Sequence, residues 1–89
     1  LHSPDDDTAL LFDADLAILG AAAPTYDDYV RAVRAEYHHV DDEAWQRGRA
    51  AVLESFLNRT TIYSTATGRA RWEHAARTNL ARELDTLRT

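Results

Sequence analysis

An all-α fold is predicted from three observations. Glycine and proline are scarce, at 3 and 2. No stretch alternates apolar and polar residues as a half-buried strand would. Apolar residues instead recur at three- and four-residue spacing along most of the chain. A hydrophobic fraction of 45% suits a folded chain rather than a disordered one. With 89 residues the chain can bury one modest core, and four helices account for the pattern.

The first helix is expected to start at Ser3 or an early aspartate, with Pro4 in its first turn. Asp5, Asp6 and Asp7 complement the partial positive charge of a helix N-terminus. It should run to Leu19, with Gly20 in the left-handed C-cap position. The second helix is expected from Thr25, where Asp28 completes a variant of the capping box. Its apolar stripe is Tyr26, Tyr29, Val30, Val33 and Tyr37, and His38-His39 end it, where histidine complements the dipole. The third begins near Asp41 or Asp42 and buries Trp45, Gly48, Val52, Leu53, Phe56 and Leu57. The segment "NRTTIYSTAT" (58–67) reads as a connection anchored by Ile62 and Tyr63. The last helix runs from about Gly68 to Leu87, with Trp72, Ala76, Leu80, Leu84 and Leu87 inward and His74 on the surface.

Composition narrows the function classes. Fifteen acidic residues against ten basic ones, all arginine, give a net charge of −5. Nucleic-acid binding is not expected, because it needs a cationic surface to displace counterions. Cysteine is absent, which removes disulfides and thiolate metal sites. No apolar run reaches the ~20 residues of a membrane span and no signal peptide is recognisable, so a cytoplasmic location is expected. The Asn58-Arg59-Thr60 sequon is then a chance match. No Gly-rich phosphate loop, nucleophile elbow or HExxH pattern occurs.

The chemistry concentrates in "LLFDADLAILGA" (10–21), where two aspartates interrupt an apolar run. At about 100° per residue, measured from Leu10, Asp15 falls at ~140°, inside the arc from Ile18 at ~80° to Phe12 at ~200°. Asp13 falls at ~300°, on the opposite side. The wheel therefore predicts a half-exposed Asp13 and an Asp15 among apolar neighbours. A carboxylate so placed must be neutralised, paired or bound to a metal. Arg34, Arg49 or Arg77 could pair with it; a functional carboxylate is the other reading.

Here the residues become familiar. His2-Ser3, then Asp13-Ala14-Asp15-Leu16, then Leu19-Gly20-Ala21, resemble the end of the catalytic region in HD-superfamily metal-dependent phosphohydrolases. "YDDYVRAVRAEY", "GRAAVLESFL", "IY" and "ARTNLAREL" are similar to the C-terminal half of a bacterial group of predicted members. The resemblance implies a partial four-helix domain, the C-terminal portion of an HD-type fold. Residues 1–20 would end the catalytic region and 21–89 form a helical extension. It implies hydrolysis of a phosphate ester or nucleotide by the full-length protein, with a divalent metal as Lewis acid. Asp15 would be the last protein ligand to that metal and hence catalytic, and His2 would lie near the cleft. Arg34 could clamp a substrate phosphate, although pairing with Glu36, Asp28 or an acid of the third helix is the favoured reading. The partners implied are a phosphorylated small molecule and the upstream HD segment.

No histidine here precedes an aspartate, so the His…His-Asp ligands would lie before residue 1. One ligand of four does not make this chain alone an enzyme. The competing reading is a non-catalytic helical interaction or oligomerisation domain, with Asp15 salt-bridged and apolar faces serving self-association, for example as a homo-oligomer.

Overall fold

The structure, a computed structural model, describes the backbone of residues 4–89 and the side chains of residues 9–89. It is all-α, with no strand among the described residues. Helix α1 spans Pro4–Asp15 and is followed by a 3₁₀ turn, Ala17–Gly20. Helices α2 (Ala23–Glu36) and α3 (Asp42–Leu57) come next. The chain closes with α4 (Ala66–Gly68), a π-helical turn (Arg69–Glu73) and α5 (His74–Arg88). Backbone angles stay helical through both junctions, −61°/−45° at Arg69 and −57°/−50° at Glu73. These last three segments are one continuous rod, the fourth helix expected.

Local signals explain most boundaries. Asp41 caps α3, its Oδ1 accepting from Ala44 N at 2.8 Å, with Asp42 and Glu43 in the first turn. Thr65 caps α4 in the same way, Oγ1 accepting from Gly68 N at 2.9 Å. Helix α2 starts two residues earlier than predicted. Ala22 occupies its cap without a side-chain bond, and Pro24 sits in the first turn, where its missing N–H costs nothing.

The first helix is shorter than predicted. It ends at Asp15, not Leu19, because Leu16 leaves the α basin at φ −91°, ψ 2°. The Leu16 carbonyl then accepts from Leu19 N at 3.1 Å and from Tyr63 Oη at 2.8 Å. A contact from across the molecule thus takes part in closing the helix. Gly20 is not left-handed, since no described glycine has positive φ. It is small for another reason: a Cβ there would lie 2.7 Å from Trp72 Cβ.

The core comprises Leu19, Tyr26, Leu53, Ile62, Tyr63, Ala76, Leu80 and Leu84. Burying each of the larger side chains contributes roughly 1.5–3 kcal/mol. The expected stripe of α5 faces this core, with Trp72 and Leu87 half-buried at its margins. In α3, by contrast, Gly48 and Val52 are exposed rather than buried.

Polar side chains lock the elements together. Glu83 on α5 accepts from Tyr26 Oη at 2.5 Å and bidentately from Arg49 Nε and Nη2 at 2.7 and 2.9 Å. Burial and the Glu83 charge hold the Tyr26 phenol protonated well above its ordinary range. Burial alone would disfavour the Arg49 cation, but the bonds and charge of Glu83 outweigh it. Asn79 Nδ2 donates to Leu19 O at 2.9 Å and Ala21 O at 2.8 Å, fixing the 3₁₀ turn against α5. Among the described residues no buried side-chain polar atom lacks a partner.

Candidate functional site

The backbone between α3 and α4 has no repeating hydrogen-bond pattern of its own, yet four successive amides are all engaged. Ile62 N and Tyr63 N donate to the Glu73 carboxylate at 2.9–3.2 Å. Ser64 N donates to Asp13 Oδ1 at 2.9 Å and Thr65 N to Asp13 Oδ2 at 2.8 Å. Thr65 Oγ1 adds a third bond to Asp13 Oδ2, at 2.6 Å. Two acids from different helices therefore hold one loop. Gly68 makes this possible, because a Cβ there would collide with Asp13 Oδ2 and Tyr63 Cβ.

This arrangement reverses the helical-wheel reading. Asp13 is 1% exposed and Asp15 is exposed. The partner of α1 is not an apolar surface but a row of N–H groups, and the carboxylate facing them is the buried one. Ile18 and Leu19, which defined half of the apolar arc, lie beyond the break at Leu16 and do not share the wheel. Burial raises the proton affinity of Asp13. Its bonds from Thr65 and Ser64 and the charge of Arg69 outweigh that and lower the pKa. Glu73 is also lowered: burial acts upward, while the Ile62 and Tyr63 amides and Arg77 prevail. Glu73 gave no separate signal in the sequence beyond its four-residue spacing from Arg77, with which it pairs at 2.8 Å.

Asp15 has no hydrogen-bond or ion-pair partner among the described residues. The three arginines considered for it are engaged elsewhere. Arg49 pairs with Glu83, and Arg77 pairs with Glu73 and also donates to Leu57, Arg59 and Thr60 carbonyls. Arg34 donates to Tyr37 O, Val40 O and Asp42 Oδ1 and stacks 5.1 Å from the Trp45 ring centroid. Arg34 thus joins α2 to the acidic start of α3, the intrachain alternative, and does not share a hollow with Asp15. His2 lies outside the described residues.

Asp15 lines a cavity of about 290 Å³ with Phe12, Asp13, Leu16, Arg59, Ile62 and Ser64. Two larger hollows lie elsewhere. A groove of about 340 Å³ between α2 and α3 is chiefly apolar, and one of about 400 Å³ between α2 and α5 is lined by charges already paired. Of these three hollows, the smallest combines other polar groups with a carboxylate that has no partner among the described residues. Its donor set is incomplete for a metal: among the described residues no three His, Cys, Asp or Glu side chains converge. Asp13 already accepts three loop bonds, which leaves Asp15 as the one carboxylate of this cavity without a partner among the described residues. No protein-family model, curated protein or solved structure matches this chain.

Proposed function

We propose that this chain is the C-terminal helical portion of an HD-type metal-dependent phosphohydrolase acting on a phosphate ester or nucleotide. In this reading Asp15 is the carboxylate that the chain contributes to a divalent-metal site, and the upstream segment of the same protein supplies the other ligands. The observation that carries it is the contrast on α1 between Asp13, which accepts three loop bonds, and Asp15 two residues on, which has no partner among the described residues. Asp13 ties the helix to the loop, and no described residue occupies the Asp15 oxygens. The described residues alone do not hold a metal, so no chemical step is assigned to this chain by itself.

A second feature supports the same reading. Leu11 and Phe12 on α1 are 68% and 63% exposed, beside a half-exposed Leu10. An apolar face of this kind marks a contact surface, and here it would receive the preceding part of the catalytic domain. Among the described residues no helix is long and apolar enough to cross a membrane, and a cytoplasmic location belongs to the proposal. The same face would also serve a non-catalytic interaction domain.

The two readings separate through metal analysis and phosphatase assays on the complete encoded protein. Asp15→Asn is expected to keep the thermal midpoint while losing bound divalent metal and most turnover, about 100-fold or more. Unchanged metal content and turnover in that variant would favour the interaction domain. Leu11→Ser with Phe12→Ser would then abolish partner binding or self-association.

A further inference from the structure

Acidic residues outnumber arginines in this chain, and the arginines are correspondingly occupied. Seven of the ten pair with a carboxylate. Arg69 donates to the carbonyls of Tyr63 and Ser64. Arg59 and Arg71 have neither kind of partner among the described residues. Arg71 lies beside the Trp72 ring, 5.9 Å from its centroid, and lines none of the three hollows. Arg59 lines the cavity of Asp15.

The local structure holds Arg59 in place without using its guanidinium donors. Its N–H donates to Phe56 O at 3.2 Å, and its carbonyl accepts from Arg77 Nη2 at 2.8 Å. The guanidinium carbon stands 4.8 Å from the Phe56 ring centroid, a cation–π contact that orients the fork. Ser64 is held in the same manner. Its N–H goes to Asp13, its carbonyl accepts from Arg69 at 2.9 Å, and its hydroxyl has no partner among the described residues. Arg59 and Ser64, each held through its backbone, thus line one cavity, with Phe12, Leu16 and Ile62 as apolar wall.

We propose that Arg59 and the Ser64 hydroxyl bind the phosphoryl group of a small phosphate monoester in this cavity, with its organic part against the apolar wall. The inference rests on the phosphohydrolase reading of Asp15 and deepens it by naming the groups that receive the substrate. A guanidinium fork matches two phosphoryl oxygens at once. It also offsets the negative charge of Asp15, which would otherwise repel a dianion.

The test measures inorganic phosphate binding by calorimetry at low ionic strength on the complete protein, together with metal content and the KM for p-nitrophenyl phosphate. Arg59→Ala is expected to weaken phosphate binding and raise KM by about tenfold or more, with metal content unchanged. Arg59→Lys, which keeps charge but not the fork, should recover only part of the affinity. Ser64→Ala should cost a few-fold. Wild-type phosphate affinity in Arg59→Ala, or no phosphate binding by the wild type, overturns the proposal. If Asp15→Asn strips the metal while Arg59→Ala binds phosphate normally, only the present inference fails. If Asp15→Asn leaves metal content untouched while Arg59→Ala loses phosphate, the anion site stands and the phosphohydrolase reading fails.

Discussion

A methyl group added at Gly68 would run into Asp13 Oδ2 and lie 2.9 Å from Tyr63 Cβ, whereas one added at Gly48 finds nothing within 4 Å. Both glycines are helical, so propensity favours alanine at each by up to about 1 kcal/mol. Gly48→Ala should therefore raise the unfolding free energy by up to that amount. Gly68→Ala should lower it by roughly 1–3 kcal/mol, because Asp13 must give up its loop bonds or Tyr63 must move. Urea denaturation measures both, and equal effects at the two positions would refute the close packing of Asp13. Single residues were also where the sequence misled. The wheel put Asp13 and Asp15 on opposite faces but assigned burial to the wrong one, because what buries Asp13 is Ser64 and Thr65, about fifty positions away.

The segment between α3 and α4 is an element that owes its shape to acids on other helices. Asp13 and Glu73 both titrate below their ordinary values, so each binds protons less readily in the folded state than in the unfolded chain. Their stabilisation is complete above the unfolded carboxylate range near about 4 and is lost as pH falls through the lower folded values. Unfolding free energy should accordingly be level near pH 6 and decline below about pH 4. Asp13→Asn should reduce stability at pH 6 and flatten the decline on the acid side. An acid slope identical to wild type would show that Asp13 does not anchor the loop. The elements themselves were largely readable in advance. Asp41 as a cap, Ile62 and Tyr63 as anchors and the Ala76, Leu80, Leu84 stripe all follow from local pattern. The break at Leu16 did not, because no glycine or proline marks it and Tyr63 takes part in it from a distance.

At the scale of the whole molecule, the chain is elongated, 48 × 23 × 23 Å, with α5 as the shared support. The 3₁₀ turn hangs from it through Asn79, α2 and α3 meet it at Glu83, and the continuous rod carries Glu73 to the loop. This division of labour explains what pattern analysis could and could not reach. Apolar burial has a period and is visible in a single sequence, whereas a carboxylate aimed at backbone amides has none. Arg77, Asn79 and Glu83 sit close together on α5 yet make separate joints to different neighbours. The row of amides from Ile62 to Thr65 has a consequence for dynamics. A segment outside any helix would ordinarily exchange its amide hydrogens quickly, yet these four are each bonded to a carboxylate anchored on another element. Their exchange should wait on a larger opening that frees α1 or the rod, and so resemble that of core helical amides. Exchange measured by NMR should find four slow amides in a row where the chain has no regular structure, with exposed Thr60 and Thr61 fast immediately before them.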